Sequence, residues 1–139
     1  MTQGLHIERL DGRDFVFCPF RHKRVRLTPE EEVRQRFLSV LVERYRYPAS
    51  RVAVEAVLPT GQRADAVVYD RQLHPVMLIE FKAPGVALTE RTLDQAAVYN
   101  RMLHVPLLVL HNGGQTVVAS VDTNKIDFLT DIPVYGEDH

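Results

Sequence analysis

The sequence predicts an α/β (α+β) fold in which helices flank a central mixed β-sheet. Three observations predict it: two apolar runs rich in β-branched residues flank a short polar break within residues 63–82, an amphipathic stretch lies on each side of that hairpin in the chain, and a continuous apolar run follows the second stretch. The expected order of the core is αβββαβ. With 139 residues, the chain is expected to form a single domain, residues 1–139, with its core at about 14–130.

The residues before the first helix are predicted to form two short strands, at 14–17 and 23–27, on either side of a bend at Pro19. The densest basic cluster of the chain lies here and consists of Arg21, His22, Lys23, Arg24 and Arg26. The first 51 residues contain 11 Lys or Arg against 7 Asp or Glu, whereas the remainder contains 6 against 11. The cluster either contacts phosphate groups or protects an exposed sheet edge, and the sequence favours the two equally.

The first helix is predicted to begin at Pro29, with Thr28 as its N-cap and Glu31 closing a capping box, and to end at about Arg46. Its apolar positions recur at helical spacing and form one stripe. At about 100° per residue, Glu30 falls inside this stripe and Glu31 falls outside it. Glu30 is therefore expected to face the interior, where a cation or a donor would meet it. The alternative is that Glu30 only interacts favourably with the helix dipole.

A strand at 51–58 leads into the hairpin, where three charged residues interrupt the apolar pattern: Asp65 in the first strand, then Glu80 and Lys82 in the second. Alternation places Glu80 and Lys82 on one face, and a turn centred near Gln72 brings Asp65 level with Glu80. Two adjacent carboxylates raise one pKa unless a cation lies between them. Such oxygen ligands suit magnesium or manganese. The alternative is that all three are ordinary charges at strand ends.

The second helix is predicted at about 90–103, after a sharp end to the preceding strand. Gln95 and Tyr99 are four residues apart and therefore lie on one face of this helix. The alternatives are that Tyr99 packs in the core and that Gln95 closes a capping box with Thr92. A buried strand at 105–110 follows and is expected to run parallel to the strand before the helix.

The remaining features of the sequence limit the class of protein. Cys18 is the only cysteine, which excludes an internal disulfide and a cysteine-based zinc cluster, and it is expected to be a small core residue. No apolar run is long enough to span a bilayer and the N-terminus lacks a signal-peptide pattern, so the protein is expected in the cytoplasm. Residues 116–121 form the last predicted strand. Glu55 is expected to face solvent from the middle of its strand, outside the site.

The residues of the hairpin resemble the signature of the PD-(D/E)XK nucleases. Asp65 is followed by Glu80, Phe81 and Lys82 at the right spacing, and Ala64 stands where the signature often has proline. The wider sequence resembles the nuclease domain at the N-terminus of the restriction subunit of type I restriction enzymes and its small stand-alone relatives. The stretches that carry this second resemblance are 18–31, 33–35, 80–84 and 94–100, within a similarity over about residues 5–135.

The resemblance implies a single restriction-endonuclease-like domain that hydrolyses DNA phosphodiester bonds with a metal ion. The implied metal ligands are Asp65, Glu80 and the Phe81 carbonyl, with Mg²⁺ as the ion and Mn²⁺ as its substitute. The other implied catalytic residues are Lys82, which orients the attacking water, Gln95, which organises the site, and Glu30, which adds a carboxylate from the first helix. Glu31 is the alternative for this helix carboxylate, although its place in the capping box accounts for it without any chemistry. The expected contacts to DNA are Arg21, Lys23, Arg24 and Tyr99.

The resemblance also implies partners. DNA is the expected substrate, a homodimer would allow both strands to be cut, and motor or specificity subunits are the expected protein partners. No membrane partner is expected. The alternative function is a nuclease-like DNA-binding or assembly module that acts with partner subunits and has no turnover of its own.

Overall fold

The computed structural model describes residues 5–123 and 125–136 and has the predicted fold class, α+β with a mixed central sheet and flanking helices. In chain order, the elements are β1 (Ile7–Leu10), β2 (Arg13–Cys18), β3 (Lys23–Arg26), α1 (Pro29–Glu43), β4 (Val52–Val57), β5 (Arg63–Tyr69), β6 (Pro75–Phe81), α2 (Glu90–Leu103), β7 (Leu107–His111), β8 (Thr116–Asp122) and β9 (Lys125–Leu129). The predicted αβββαβ core is confirmed as α1, β4 to β6, α2 and β7. The sequence did not predict β1 and β9.

The strands form two sheets, one of six strands in the order β4-β5-β6-β7-β8-β9 and one of three in the order β1-β2-β3. Strands β5 and β6 are antiparallel, with Ala66 opposite Ile79 and Val67 opposite Leu78, so the centre of the turn falls next to Gln72, as predicted. Strands β6 and β7 are parallel, which confirms the second prediction about this sheet. Their carboxyl ends therefore lie at the same end of the sheet.

Helix α1 begins where the sequence predicted. The Oγ1 atom of Thr28 accepts a hydrogen bond from the backbone N of Glu31 at 3.1 Å, which satisfies one of the free amides of the first turn. The helix ends at Glu43, about three residues before the predicted end. Arg46 has a left-handed backbone with φ 70°, so the helix cannot continue through it.

Helix α2 also begins where the sequence predicted, at Glu90, with Thr89 as its N-cap. Thr89 and Thr92 form the capping box, each side chain accepting from the backbone of the other. Thr92 is thus already occupied, which excludes the alternative in which Gln95 closes that box. Within the described residues, no helix is long and apolar enough to cross a membrane.

The core consists of two apolar layers, one on each face of the six-stranded sheet. On one face, side chains from α1 pack with those of β5, β6 and β7, among them Val33, Phe37, Leu41, Ala66, Ile79, Phe81 and Val109. On the other face, Leu78 and Leu108 pack with Leu93 and Leu103 of α2. Because Ile79 and Phe81 face α1, the alternation of β6 turns Glu80 towards α2. Burial of each large apolar side chain contributes about 1.5–3 kcal/mol to the stability of these layers.

Candidate functional site

Asp65 and Glu80 lie side by side at the end of the β5-β6 hairpin. Oδ2 of Asp65 accepts a hydrogen bond from the backbone N of Phe81 at 2.7 Å. Oε1 of Glu80 is fully buried without a hydrogen-bond partner, the single such side-chain atom in the described part of the chain. Burial and the negative charge of Asp65 raise the pKa of Glu80 to about 8. The structure therefore brings the two predicted carboxylates together, and one of them holds an unsatisfied oxygen.

Glu80, Lys82 and Gln95 border one cavity of about 330 Å³ between β6 and α2. Lys82 follows β6 directly, and its backbone N donates to the carbonyl oxygen of His111 in β7 at 2.9 Å, which fixes where its side chain leaves the sheet. Three predicted site residues from two elements thus share one space. The other residues around the cavity are Gln62, Thr92, Ala96 and Val98.

Gln62 was missed by the sequence interpretation. It belongs to the turn between β4 and β5, which is remote in sequence from both Glu80 and Gln95, and it reaches the cavity because β5 runs beside β6. The sequence does contain a signal for Gln62. It lies three residues before Asp65, so the turn that contains it must lie near this candidate ligand.

The donor set fits a hard divalent cation. The unsatisfied oxygen of Glu80 and the carboxylate of Asp65 are ligands of the type Mg²⁺ prefers, and Mg²⁺ keeps several water molecules in its shell. The N–H and C=O groups of one residue in a strand point to the same side, so the Phe81 carbonyl is directed towards the same neighbour as its N–H, which is Asp65. Across residues 5–123 and 125–136, no group of three or more His, Cys, Asp or Glu side chains lies close enough to bind one ion. A cation here would therefore have two carboxylates, the backbone carbonyl and water as ligands.

Glu30 does not face the interior, and that expectation is wrong. Glu30 is exposed, whereas the side chain of Glu31 is only 7 % exposed. The buried residues of α1 form two adjacent stripes, one through Val33, Phe37 and Leu41 and one through Glu31, Gln35 and Leu38. The apolar pattern marks only the first stripe, because two of the three residues of the second are polar. The role of Glu30 in catalysis stays a prediction.

The carboxylate of Glu31 is satisfied by donors from three residues. It accepts hydrogen bonds from Arg21 at 2.6 Å, Arg34 at 2.6 Å and Gln35 at 2.9 Å. Burial alone would raise the pKa of Glu31, but the hydrogen bonds from Arg34, Arg21 and Gln35 lower it to about 2. Its side chain therefore does not close the predicted capping box on Thr28, and its oxygens are already taken by protein donors.

Arg21, a predicted DNA contact, pairs with carboxylates of the protein itself, and its contact with DNA stays a prediction. Its guanidinium group donates to Glu31 and also to Glu55, the latter at 2.9 Å, and its side chain is only 13 % exposed. Its positive charge is therefore paired with two carboxylates of the protein itself. Glu55, expected to face solvent, has a side chain that is 42 % exposed and that pairs with Arg21.

The other predicted DNA contacts are Lys23, Arg24 and Tyr99. Lys23 and Arg24 are exposed on β3, and Arg24 pairs with Glu8 at 3.1 Å, so their contact with DNA stays a prediction. Tyr99 is part of α2, but its side chain lies outside the described part of the structure. The predicted placement of Gln95 and Tyr99 on one helix face therefore stays a prediction.

A larger cleft of about 820 Å³ lies at the same end of the sheet, between the start of α1 and the turn that follows β7. Its charged residues Glu32 and Arg36 pair with each other at 3.0 Å, and Asn112 uses its side chain to bond Val86, Gly114 and Gln115. The cleft thus lacks the unsatisfied carboxylate that marks the smaller cavity. The unsatisfied carboxylate, and not the volume of the cavity, therefore identifies the candidate site.

The comparisons with known proteins concern most of the chain. A family model of the type I restriction enzyme R protein N terminus matches residues 29–133. This range begins at α1, extends past β9 and includes Asp65, Glu80, Lys82 and Gln95. None of the curated proteins matches the chain. Because the matched range covers more than half of the sequence, the protein belongs to the family of type I restriction enzyme R protein N termini.

Proposed function

We propose that the protein is a PD-(D/E)XK nuclease, a metal-dependent endonuclease that hydrolyses phosphodiester bonds of DNA in the cytoplasm. The observation that carries the proposal is the buried oxygen of Glu80, which has no donor and lies beside the carboxylate of Asp65. An unpaired buried carboxylate costs free energy unless a cation or a proton compensates for it. The family relationship supplies the restriction-enzyme context in which a nuclease site is expected.

In this proposal, Asp65, Glu80 and the Phe81 carbonyl hold Mg²⁺, and Mn²⁺ can replace it. Bound Mg²⁺ supplies positive charge that stabilises the negative charge developing on the phosphate. The amide of Phe81 holds Asp65 in place through the 2.7 Å hydrogen bond, so this ligand is already oriented before the ion binds.

Lys82 is proposed to orient the attacking water and to stabilise charge on the phosphate. Gln95 lines the same cavity and is proposed to position either the Lys82 ammonium or a phosphate oxygen through its amide. Glu30 is proposed to contribute through water, because it is exposed and not part of the cavity lining. Lys23, Arg24 and Tyr99 are proposed to contact the DNA backbone.

The family relationship bears on partners as well. Restriction enzymes of type I act on DNA as assemblies, so we propose that motor and specificity subunits are the protein partners of this chain. One site cuts one strand, and we propose that a homodimer or two successive encounters complete a double-strand break.

The test is cleavage of supercoiled and linear DNA by the purified protein with Mg²⁺ or Mn²⁺. We expect the wild type to cut and Lys82→Ala to lose at least about a hundredfold in rate, since one group that stabilises transition-state charge is removed. Lys125→Ala is the matched control, because Lys125 is an exposed lysine on β9. Absence of cleavage by the wild type on linear, supercoiled and branched DNA would contradict the proposal.

A second candidate function is a DNA-binding or assembly module without turnover. The small number of ligating side chains at the site favours it, since the described residues bring two carboxylates together and no third. Calorimetric titration with Mn²⁺ separates the two candidates. The nuclease requires that the wild type binds the ion and that Asp65→Ala does not, whereas equal heats from both proteins favour the module.

A further inference from the structure

Glu55 has an unusual backbone for the middle of a strand. Its φ is 55°, in the left-handed region that residues other than glycine, asparagine and aspartate rarely adopt. The ladder between β4 and β5 contains the pairs Val54 with Ala66 and Ala56 with Ala64, but not the pair between them, Glu55 with Asp65. The break in the ladder therefore lies at the residue opposite the candidate metal ligand.

At this break, the side chains of β4 and β5 change from one face of the sheet to the other. Val54 packs with the apolar layer under α1, whereas Ala56 packs with the layer under α2. Ala66 and Ala64 of β5 divide between the layers in the same way. Residues two apart in a regular strand face the same side. The left-handed residue thus coincides with a sharp twist of β4 and β5, and Asp65 lies at the position where the twist occurs.

A partly buried arginine, Arg21, holds the residue with the left-handed backbone. Nη1 of Arg21 donates to Oε1 of Glu55 at 2.9 Å, and Nη2 donates to Oε2 of Glu31 at 2.6 Å. Nε of Arg21 also donates to the buried Cys18 sulfur at 3.3 Å. Glu31 is itself fixed by Arg34 and Gln35 in α1. The guanidinium group is therefore anchored on two sides before it reaches Glu55.

We propose that Arg21 and Glu55 are positioning residues for Asp65. The Arg21 guanidinium ties Glu55 to α1, this tie maintains the left-handed backbone at Glu55, and that backbone sets the twist that aims Asp65 at the Phe81 amide and the Glu80 carboxylate. The consequence for metal binding rests on the proposed nuclease function. The link between Glu55 and Asp65 does not, and it is measurable without a metal.

The first experiment compares Glu55→Val with Glu55→Gly. Valine is excluded from the left-handed region, whereas glycine adopts it freely. The readouts are the NMR amide signal of Phe81, which reports its hydrogen bond to Asp65, and the dissociation constant of Mn²⁺ by calorimetry. Asp65→Ala supplies the reference signal for a lost bond.

We expect Glu55→Val to shift the Phe81 signal towards that of Asp65→Ala and to weaken Mn²⁺ binding about tenfold or more, as when residues supporting a metal ligand are altered. Glu55→Gly is expected to keep the wild-type signal. A folded Glu55→Val protein with the wild-type Phe81 signal overturns the proposal. A wild type that binds no Mn²⁺ contradicts the nuclease function instead, while the Phe81 signal still decides the positioning role.

The second experiment tests the arginine by rescue and does not depend on whether Glu55→Val folds. Arg21→Met removes the tie but leaves Glu31 with Arg34 and Gln35 as donors. The strained backbone of Glu55 is then expected to relax, with loss of the Phe81 signal. Adding Glu55→Gly is expected to restore it, because glycine has no strain to relax. A double variant no better than Arg21→Met overturns the proposal, since an arginine that only supports the fold would not be rescued by glycine.

Discussion

Two glutamates of this protein have buried carboxylate oxygens and opposite environments. Glu31 accepts from two arginines and a glutamine, and its pKa lies at about 2. Glu80 has a buried oxygen without a donor, lies beside Asp65, and its pKa is raised to about 8. This difference shows that burial of a carboxylate does not by itself identify a functional site. The satisfied carboxylate stabilises the fold, and the unsatisfied one is available to a cation.

The largest expected effect comes from removing Asp65, the carboxylate beside the unsatisfied oxygen of Glu80. Asp65→Ala is expected to abolish detectable Mn²⁺ binding and to reduce cleavage by roughly a thousandfold or more, because the ion that stabilises transition-state charge is lost. Glu31→Gln is expected to keep Mn²⁺ binding, because Arg21 still pairs with Glu55 in this variant. Calorimetry and plasmid cleavage measure both. Equal loss in the two variants would erase the distinction between the glutamates.

The next effect concerns stability. Glu31→Gln removes the carboxylate that pairs with the largely buried guanidinium groups of Arg21 and Arg34, and only Arg21 keeps a second carboxylate, that of Glu55. The variant is expected to lower the free energy of unfolding by about 3–5 kcal/mol. Glu32→Gln, which breaks an exposed pair with Arg36, is the control and is expected to change it by about 0–1 kcal/mol. Urea unfolding measures both. A loss of the same size in the two variants would show that the buried cluster does not stabilise α1 specifically.

The two glutamates also predict opposite pH dependences for the metal-free protein. The raised pKa of Glu80 contributes stability that is present below about pH 4.5 and lost as the pH rises to about 8. The lowered pKa of Glu31 contributes stability that is present above about pH 4.5 and lost as the pH falls towards 2. Each pKa unit of difference corresponds to about 1.4 kcal/mol.

Urea unfolding across pH 2–9, repeated on Glu80→Gln and Glu31→Gln, measures these windows. Glu80→Gln is expected to remove the loss between about pH 4.5 and 8, and Glu31→Gln the loss below about pH 4.5. A wild-type profile that stays flat between pH 5 and 8, and that Glu80→Gln leaves unchanged, would contradict the assignment of a protonated Glu80.

A smaller effect follows from the same protonation. Because the pKa of Glu80 is about 8, most of the protein carries this proton at pH 7, and a cation that binds the carboxylate must displace it. We expect release of about one proton per Mn²⁺ at pH 7 and close to none at pH 9. Calorimetry in buffers of different ionisation enthalpy counts the protons. Binding without proton release at pH 7 would contradict a protonated Glu80 in the metal-free protein.

The predictable part of the site is the part that depends on local periodicity. Alternation within β6 and the symmetry of the turn at Gln72 were enough to place Glu80 and Asp65 together. The helical repeat placed Gln95 at the cavity once α2 packed on β6. These rules involve residues in one strand, one hairpin or one helix, so the sequence alone carries them.

The cluster of Arg21, Glu31 and Glu55 could not be predicted in this way. It joins the turn after β2 to α1 and β4, elements whose relative positions follow from packing and not from any repeat in the sequence. Strands β1 and β9 could not be predicted for another reason. All their residues are exposed, so no buried apolar pattern distinguishes them from loops.

The smallest expected effect concerns Glu30, which the helical repeat wrongly predicted to face the interior. It is exposed in the first turn of α1, so removing it should leave the stability almost unchanged, within about 0.5 kcal/mol. If Glu30 acts on the ion through water, Glu30→Ala should still slow cleavage by about tenfold, as for other groups that support a metal indirectly. Glu32→Ala is the matched control, since it removes an equal charge from the same helix turn and from the same dipole. Equal cleavage rates for the two variants would leave Glu30 with a purely electrostatic role at the helix start, and Asp65 and Glu80 as the only carboxylates of the proposed site.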